Sequence, residues 1–157
     1  MWRWQCSSAW ACSTWTRWPS AWATGPCPGI SREGEELAKA VRAVRGAVSI
    51  AENSAEAIWE GTARLLEELL AVNRLRVEEI ISAIFTATPD LDAAFPATAA
   101  RRLGWQQVPL LGAQELAVPG SPGRIVRVLL HCWVEEGAAL RPVYLGEAAA
   151  LRPDLEP

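Results

Sequence analysis

The chain has 157 residues, half of them hydrophobic and 21% charged, with a formal net charge of −3. That length suits one compact domain, and so apolar a composition excludes disorder along the whole chain. The mild acidity excludes a broad nucleic-acid-binding surface, and no run approaches the roughly 20 apolar residues that span a bilayer. A soluble globular protein is expected.

Residues 1 to about 38 follow no hydrophobic period. They hold Trp2, Trp4, Trp10, Trp15, Trp18 and Trp22 and three of the four cysteines, Cys6, Cys12 and Cys27, and break at Gly25-Pro26-Cys27-Pro28-Gly29. Ser7, Ser8, Ser13, Thr14, Thr16 and Arg17 interrupt the continuous apolar run that a secretory signal needs. The cysteines are odd in number, form no CxxC pair and have no nearby histidine, which argues against a zinc or disulfide module. The stretch reads as an unstructured leader, dispensable to activity, ahead of a folded domain at 39–157.

Order begins near residue 40. Val41 to Val48 alternates β-branched or small residues with arginines and reads as a strand. Asn53 or Ser54 is placed to cap a helix, with Glu56 in capping-box position three residues after Asn53. That helix extends to about Asn73, with Ile58, Leu65, Leu66, Leu69 and Leu70 on one side and Glu60, Arg64, Glu67 and Glu68 towards water.

Ile80 to Thr88 reads as the second strand, ended by Pro89-Asp90. Pro96 opens a short helix over Ala97–Leu103, stopped by Gly104. Gln107–Leu111 is the third expected strand. After the breakers Gly120, Pro122 and Gly123 comes the longest apolar strand, Ile125–Val134, and then Pro142–Leu145. The order β-α-β-α-β-β-β predicts an α+β fold with one mixed sheet and its helices on one face.

No catalytic triad is visible. His131 is the one histidine, and it neighbours Cys132 in a strand, so the two point to opposite faces and cannot form a nucleophilic pair. No His/Cys/Asp/Glu cluster has metal-ligand spacing, and Gly120-Ser121-Pro122-Gly123-Arg124 lacks the spacing and Lys-Ser/Thr of a phosphate loop. What stands out is arginine inside strands. Arg45 follows Val44, and Arg127 interrupts Ile125-Val126 and Val128-Leu129-Leu130. A guanidinium there is costly unless it meets water or an anion, so each is a solvated residue, half of an internal ion pair, or a ligand for a small carboxylate. Glu115 carries the same ambiguity.

Residues 41–157 resemble the trimeric AroH-type chorismate mutases almost from end to end. The match is carried by Val41-Arg42-Ala43-Val44-Arg45-Gly46-Ala47, Thr86-Ala87-Thr88-Pro89-Asp90-Leu91, Ala94-Phe95-Pro96-Ala97, Gly104-Trp105-Gln106, Val108-Pro109, Gln114-Glu115, Ile125-Val126-Arg127-Val128, Val143-Tyr144-Leu145 and the closing Leu151-Arg152-Pro153-Asp154-Leu155. The resemblance implies a subunit that assembles into a homotrimer around a barrel-like core of sheets, with active sites between subunits. It implies a cytoplasmic isomerase of aromatic amino acid biosynthesis that rearranges chorismate to prephenate, with no cofactor, metal, nucleic acid or membrane partner.

The resemblance also implies roles. Arg127 matches the arginine at the breaking ether oxygen and a carboxylate, and Arg45 the arginine that binds carboxylate from the first strand. Glu115 matches the acceptor of the ring hydroxyl, and Tyr144 the phenol that touches a carboxylate. Phe95, Ala97 and Arg101 match residues given across the interface, and Leu151 and Arg152 the tail over the cleft. Three departures stand out: Gly112 replaces a cysteine of some members, Thr98 a lysine and Pro142 a histidine. A weakened homologue that senses the same ligand, or a Rid-like trimeric interface enzyme, is the competing reading. Intact Arg45, Glu115, Arg127 and Tyr144 weigh against the first, and the tail signature against the second.

Overall fold

The computed structural model describes residues 38–155, so the expected leader at 1–38 lies almost wholly outside the described residues. Five strands form one mixed sheet: β1 (Lys39–Ser49), β2 (Ile80–Ala87), β3 (Leu110–Gln114), β4 (Ile125–Glu135) and β5 (Val143–Leu145). Two α-helices, α1 (Ala55–Asn73) and α2 (Ala97–Arg102), interrupt them, giving the expected order. Three short 3-10 turns at Val77–Glu79, Gly146–Leu151 and Pro153–Leu155 had no signal in the periodicity.

The strand order is β3-β2-β4-β1-β5. β4 is antiparallel to both β1 and β2, while β3 and β5 run parallel to the strands they edge. β4, the longest apolar strand, therefore lies at the centre, where both of its edges are paired.

Alternation divides this sheet into two unlike faces. One carries Val44, Val48, Phe85, Val126, Val128, Leu130, Cys132 and Val143, all buried. Against it α1 lays Ile58, Leu65, Leu66 and Leu69, each with no exposed surface, while Glu60, Arg64, Glu67 and Glu68 face water as expected. Gly46 lets the helix come this close: a Cβ there would lie 2.9 Å from Leu69 Cδ1 and 2.9 Å from the Val143 carbonyl.

Local chemistry sets the boundaries. Ser54, rather than Asn53, caps α1, its Oγ accepting from the Ala57 N–H at 3.3 Å. Asn53 instead accepts from the backbone N–H groups of Asp92 and Ala93 and donates to the Asp92 carboxylate at 2.7 Å. It thus fixes the loop before α2, and Glu56 forms no capping box with it. β3 begins at Leu110 instead of Gln107. Pro109 has no N–H to give a ladder, so its carbonyl makes the first bond, accepting from Ala83 N–H at 3.0 Å, and the parallel pairing runs on from there.

Candidate active site

Among the described residues, no α-helix packs on the second face of the sheet. Strand register places Ala113, Thr86, Arg127, Ala47 and Tyr144 in one row across all five strands. The next row contains Leu111, Ile84, Leu129 and Arg45. The period of two that makes one face of β1 and β4 apolar thus aims Arg45 and Arg127 out of the other.

The chain after β5 covers one end of this face. The turn at Gly146–Leu151 buries Ala148 against Ala47 and Ile125, with Tyr144 and Leu151 beside them. Between this tail and the strands lies a cleft of about 510 Å³, walled by Arg45, Ile84, Thr86, Arg127, Leu129, Tyr144, Leu151 and Arg152. Residues from several strands and the C-terminal segment converge there.

Glu115, just past β3, does not itself line the cleft but binds two residues that do, Thr86 and Arg127. Its Oε2 accepts from Arg127 Nη1, and its Oε1 accepts from the Thr86 hydroxyl at 2.6 Å. The Glu115 side chain is only 12% exposed, against 39% for Arg127. Of the three alternatives open to Arg127 from its sequence, the internal ion pair is realised. The pair occupies Nη1 alone, and a guanidinium has five N–H donors, so the remaining ones stay available to an anion in the cleft.

On the other side, burial pushes the Tyr144 phenol above its ordinary range, the negative charge of Asp154 adds to this, and Arg127 opposes it. Tyr144 therefore stays a hydrogen-bond donor at neutral pH. Arg152 holds Asp154 through two bonds of 2.7 Å, from Nε and from Nη2. The pair keeps the Asp154 carboxyl below its usual value, the Arg152 hydrogen bond being the largest cause. The role of Thr86 does not stand out in the sequence, because it acts by touching Glu115, whose place depends on the fold.

Phe95 and Ala97 do not line this cleft. They line a second cleft of about 760 Å³ on the helix side, with Trp59, Phe85, Leu91, Gly112 and Gln114. Phe95 is 81% exposed there, and a Cβ on Gly112 would meet open space. The Arg101 guanidinium is turned onto the carbonyls of Trp105 and Gln106.

His131 and Cys132 point to opposite faces, as expected. The histidine Nδ1 is hydrogen-bonded to Ser82 Oγ at 3.0 Å on the open face, while burial raises the thiol of Cys132 in the core. Among the described residues no three His, Cys, Asp or Glu side chains come together as metal ligands, and no helix is long and apolar enough to cross a membrane.

A cleft walled by arginines and a tyrosine, one of those arginines paired with a half-buried carboxylate, suits an anion that must be held and polarised. Comparison with known proteins narrows this. The family model for chorismate mutase type I matches residues 41–155. The chain is 48% identical over 119 residues to chorismate mutase AroH of Thermus thermophilus, covering 74% of this chain and 97% of that protein. It is 38% identical over 117 residues to chorismate mutase AroH of Bacillus subtilis (strain 168), covering 73% and 92%. The solved chorismate mutase from Clostridium thermocellum superposes with a TM-score of 0.67 at 42% identity, over 69% of this chain and 98% of that one. The chain belongs to the type I chorismate mutase family.

Proposed function

We propose that the cleft on the open sheet face binds chorismate and that Arg127 is the principal catalytic group. Family membership makes the chain an isomerase, a chorismate mutase. Its reaction is unimolecular and pericyclic, so it requires no nucleophile and no proton shuttle. The substrate carries two carboxylates and reacts only from a compact conformer, so holding it in that shape lowers the barrier.

Charge supplies the rest. As the C–O bond breaks ahead of C–C bond formation, electrons gather on the ether oxygen. A guanidinium aimed at that oxygen binds the transition state more tightly than the ground state. Arg127 suits this role because its charge is permanent and its fork can bridge the oxygen and a carboxylate. Arg45 and Tyr144 take substrate carboxylate, Glu115 accepts the ring hydroxyl, and Leu151 and Arg152 close the mouth. The observation that carries the reading is the convergence of Arg45, Arg127, Tyr144 and Arg152 on one cleft of about 510 Å³, with Glu115 paired to Arg127 behind it.

The working unit in this proposal is a cytoplasmic homotrimer. Val41 at 48%, Trp133 at 46% and Leu111 at 60% exposure are large apolar side chains left open on the uncovered sheet face, which another subunit would cover. Phe95, Ala97 and Arg101 then belong to the neighbour's cleft. Residues 1–38 are a leader that activity does not need.

The experiment follows chorismate's ultraviolet absorbance with purified protein, alongside sedimentation to measure mass. Turnover without added cofactor, unchanged by chelator, from a species of three protomer masses is expected. A correctly folded trimer that leaves the absorbance unchanged overturns the proposed activity, and an active monomer overturns the shared site. Deletion of residues 1–38 should leave turnover intact, and loss of turnover would overturn the leader assignment.

A further inference from the structure

We propose that Thr86 is a positioning residue that sets the orientation of Glu115 and, through it, keeps Arg127 free for substrate. The inference rests on the reading that Arg127 and Glu115 are the groups that meet chorismate.

Glu115 lies beyond the last residue of β3, tied to the sheet by its N–H on the Ala87 carbonyl at 2.9 Å. Its carboxylate is held at two points among the described residues, one on each oxygen: the Thr86 hydroxyl on Oε1 at 2.6 Å and Arg127 Nη1 on Oε2. Thr86 is directly opposite Arg127 in the β2–β4 register, so its hydroxyl is fixed by the sheet rather than by a flexible side chain. As a β-branched residue it has few χ1 choices.

The hydroxyl decides which of two geometries the pair adopts. A carboxylate beside an arginine favours the bidentate arrangement, in which both oxygens face the guanidinium and occupy two of its nitrogens. By holding Oε1 away, Thr86 keeps the contact to one nitrogen. Each carboxylate oxygen then retains a lone pair for a ligand hydroxyl, and Arg127 retains donors for the ether oxygen. Without the Thr86 hydroxyl, Glu115 rotates onto the fork, and the catalytic cation is neutralised by its own chain.

Thr86→Val keeps the shape and removes the hydroxyl, Thr86→Ser keeps the hydroxyl, and Thr86→Ala serves if the valine variant folds poorly. We expect Thr86→Val to lower kcat about tenfold with KM moving less than about threefold, because the loss falls on the transition state. Thr86→Ser should return to within about twofold of the parent. In a Glu115→Ala background, Thr86→Val should change kcat by less than about twofold, since there is no carboxylate left to orient. Three results each overturn the proposal: a Thr86→Val enzyme with parental kcat, a serine variant as slow as the valine one, or an undiminished tenfold loss on top of Glu115→Ala. If Glu115→Ala itself keeps parental activity, the underlying assignment of Glu115 fails, whatever Thr86 does.

Discussion

The two faces of one sheet solve the same packing problem in opposite ways. On the helix side the strand residues beneath α1 are apolar or small, because the helix seals them from water and an unpaired charge there would have no solvation. On the other side the same strands carry Arg45, Arg127, His131, Thr86 and Tyr144, because no helix among the described residues covers them. The sealed face holds the fold together, and the open face is the one on which the proposed ligand site and subunit contact lie. A substitution should therefore act on stability or on chemistry according to the parity of its position, and two residues of one strand can differ completely.

The largest expected effect is on the sealed face. Phe85 on β2 is 1% exposed, and Phe85→Ala should cost about 3–5 kcal/mol of folding stability through lost burial and a residual cavity. Thermal or denaturant unfolding of the purified variant checks this. Thr86, its immediate neighbour, points the other way, and its Ser variant should unfold with the parent. If both variants unfold alike, the division of the faces is wrong.

Next comes Arg127, on the open face of β4. Arg127→Ala should remove about 3 kcal/mol of transition-state stabilisation, the scale for one main electrostatic donor, with little change in unfolding. Arg127→Lys sharpens the comparison, since it keeps the charge and loses the fork. Near-parental kcat/KM in the alanine variant would contradict the role assigned to this guanidinium.

These contrasts also show what a linear sequence can express. The alternation around Arg45 and Arg127 is a local pattern, so the outward direction of both side chains is legible from the residues beside them. The helix stripe of Ile58, Leu65, Leu66 and Leu69 is equally plain. Legibility ends where a residue's partner is remote. Asn53 looks like a helix cap beside Glu56, but its side chain serves a loop 39 residues away. Gln107 and Val108 look like strand, but the ladder cannot start until Pro109 is passed. Thr86 has no pattern that shows its role, and the ion pair of Glu115 with Arg127 depends on strand order. That Arg45, Arg127 and Tyr144 line one cleft follows from the family resemblance, not from periodicity.

A smaller effect belongs to the loop that presents Phe95. Asn53 makes three hydrogen bonds to Asp92 and Ala93, between 2.7 and 3.2 Å, at an exposed position. Asn53→Ala should cost about 1 kcal/mol of stability, the net worth of solvent-accessible bonds being small. If the loop contributes Phe95 to a neighbouring cleft, KM for chorismate should rise along with this loss, by about twofold to fivefold. Steady-state kinetics would separate that from a purely structural change, in which KM stays put.

The smallest expected change concerns Tyr144, and its value lies in the pH axis. If Tyr144 binds a substrate carboxylate as proposed, Tyr144→Phe removes one hydrogen bond, about 1 kcal/mol, seen mainly in KM. Ionisation of the phenol would do more harm than its removal, because a negative oxygen would then face an anion. Burial and the charge of Asp154 push this group above its ordinary value of about 10, so the donor persists as pH rises through the neutral and mildly alkaline range. The kcat/KM profile of the parent enzyme should therefore show no alkaline fall below about pH 10 that disappears in Tyr144→Phe. Such a fall would mean that the phenol ionises early, which requires Arg127 to outweigh both burial and Asp154. The guanidinium would then be turned towards Tyr144 instead of Glu115, and the open face would be arranged differently from the one described.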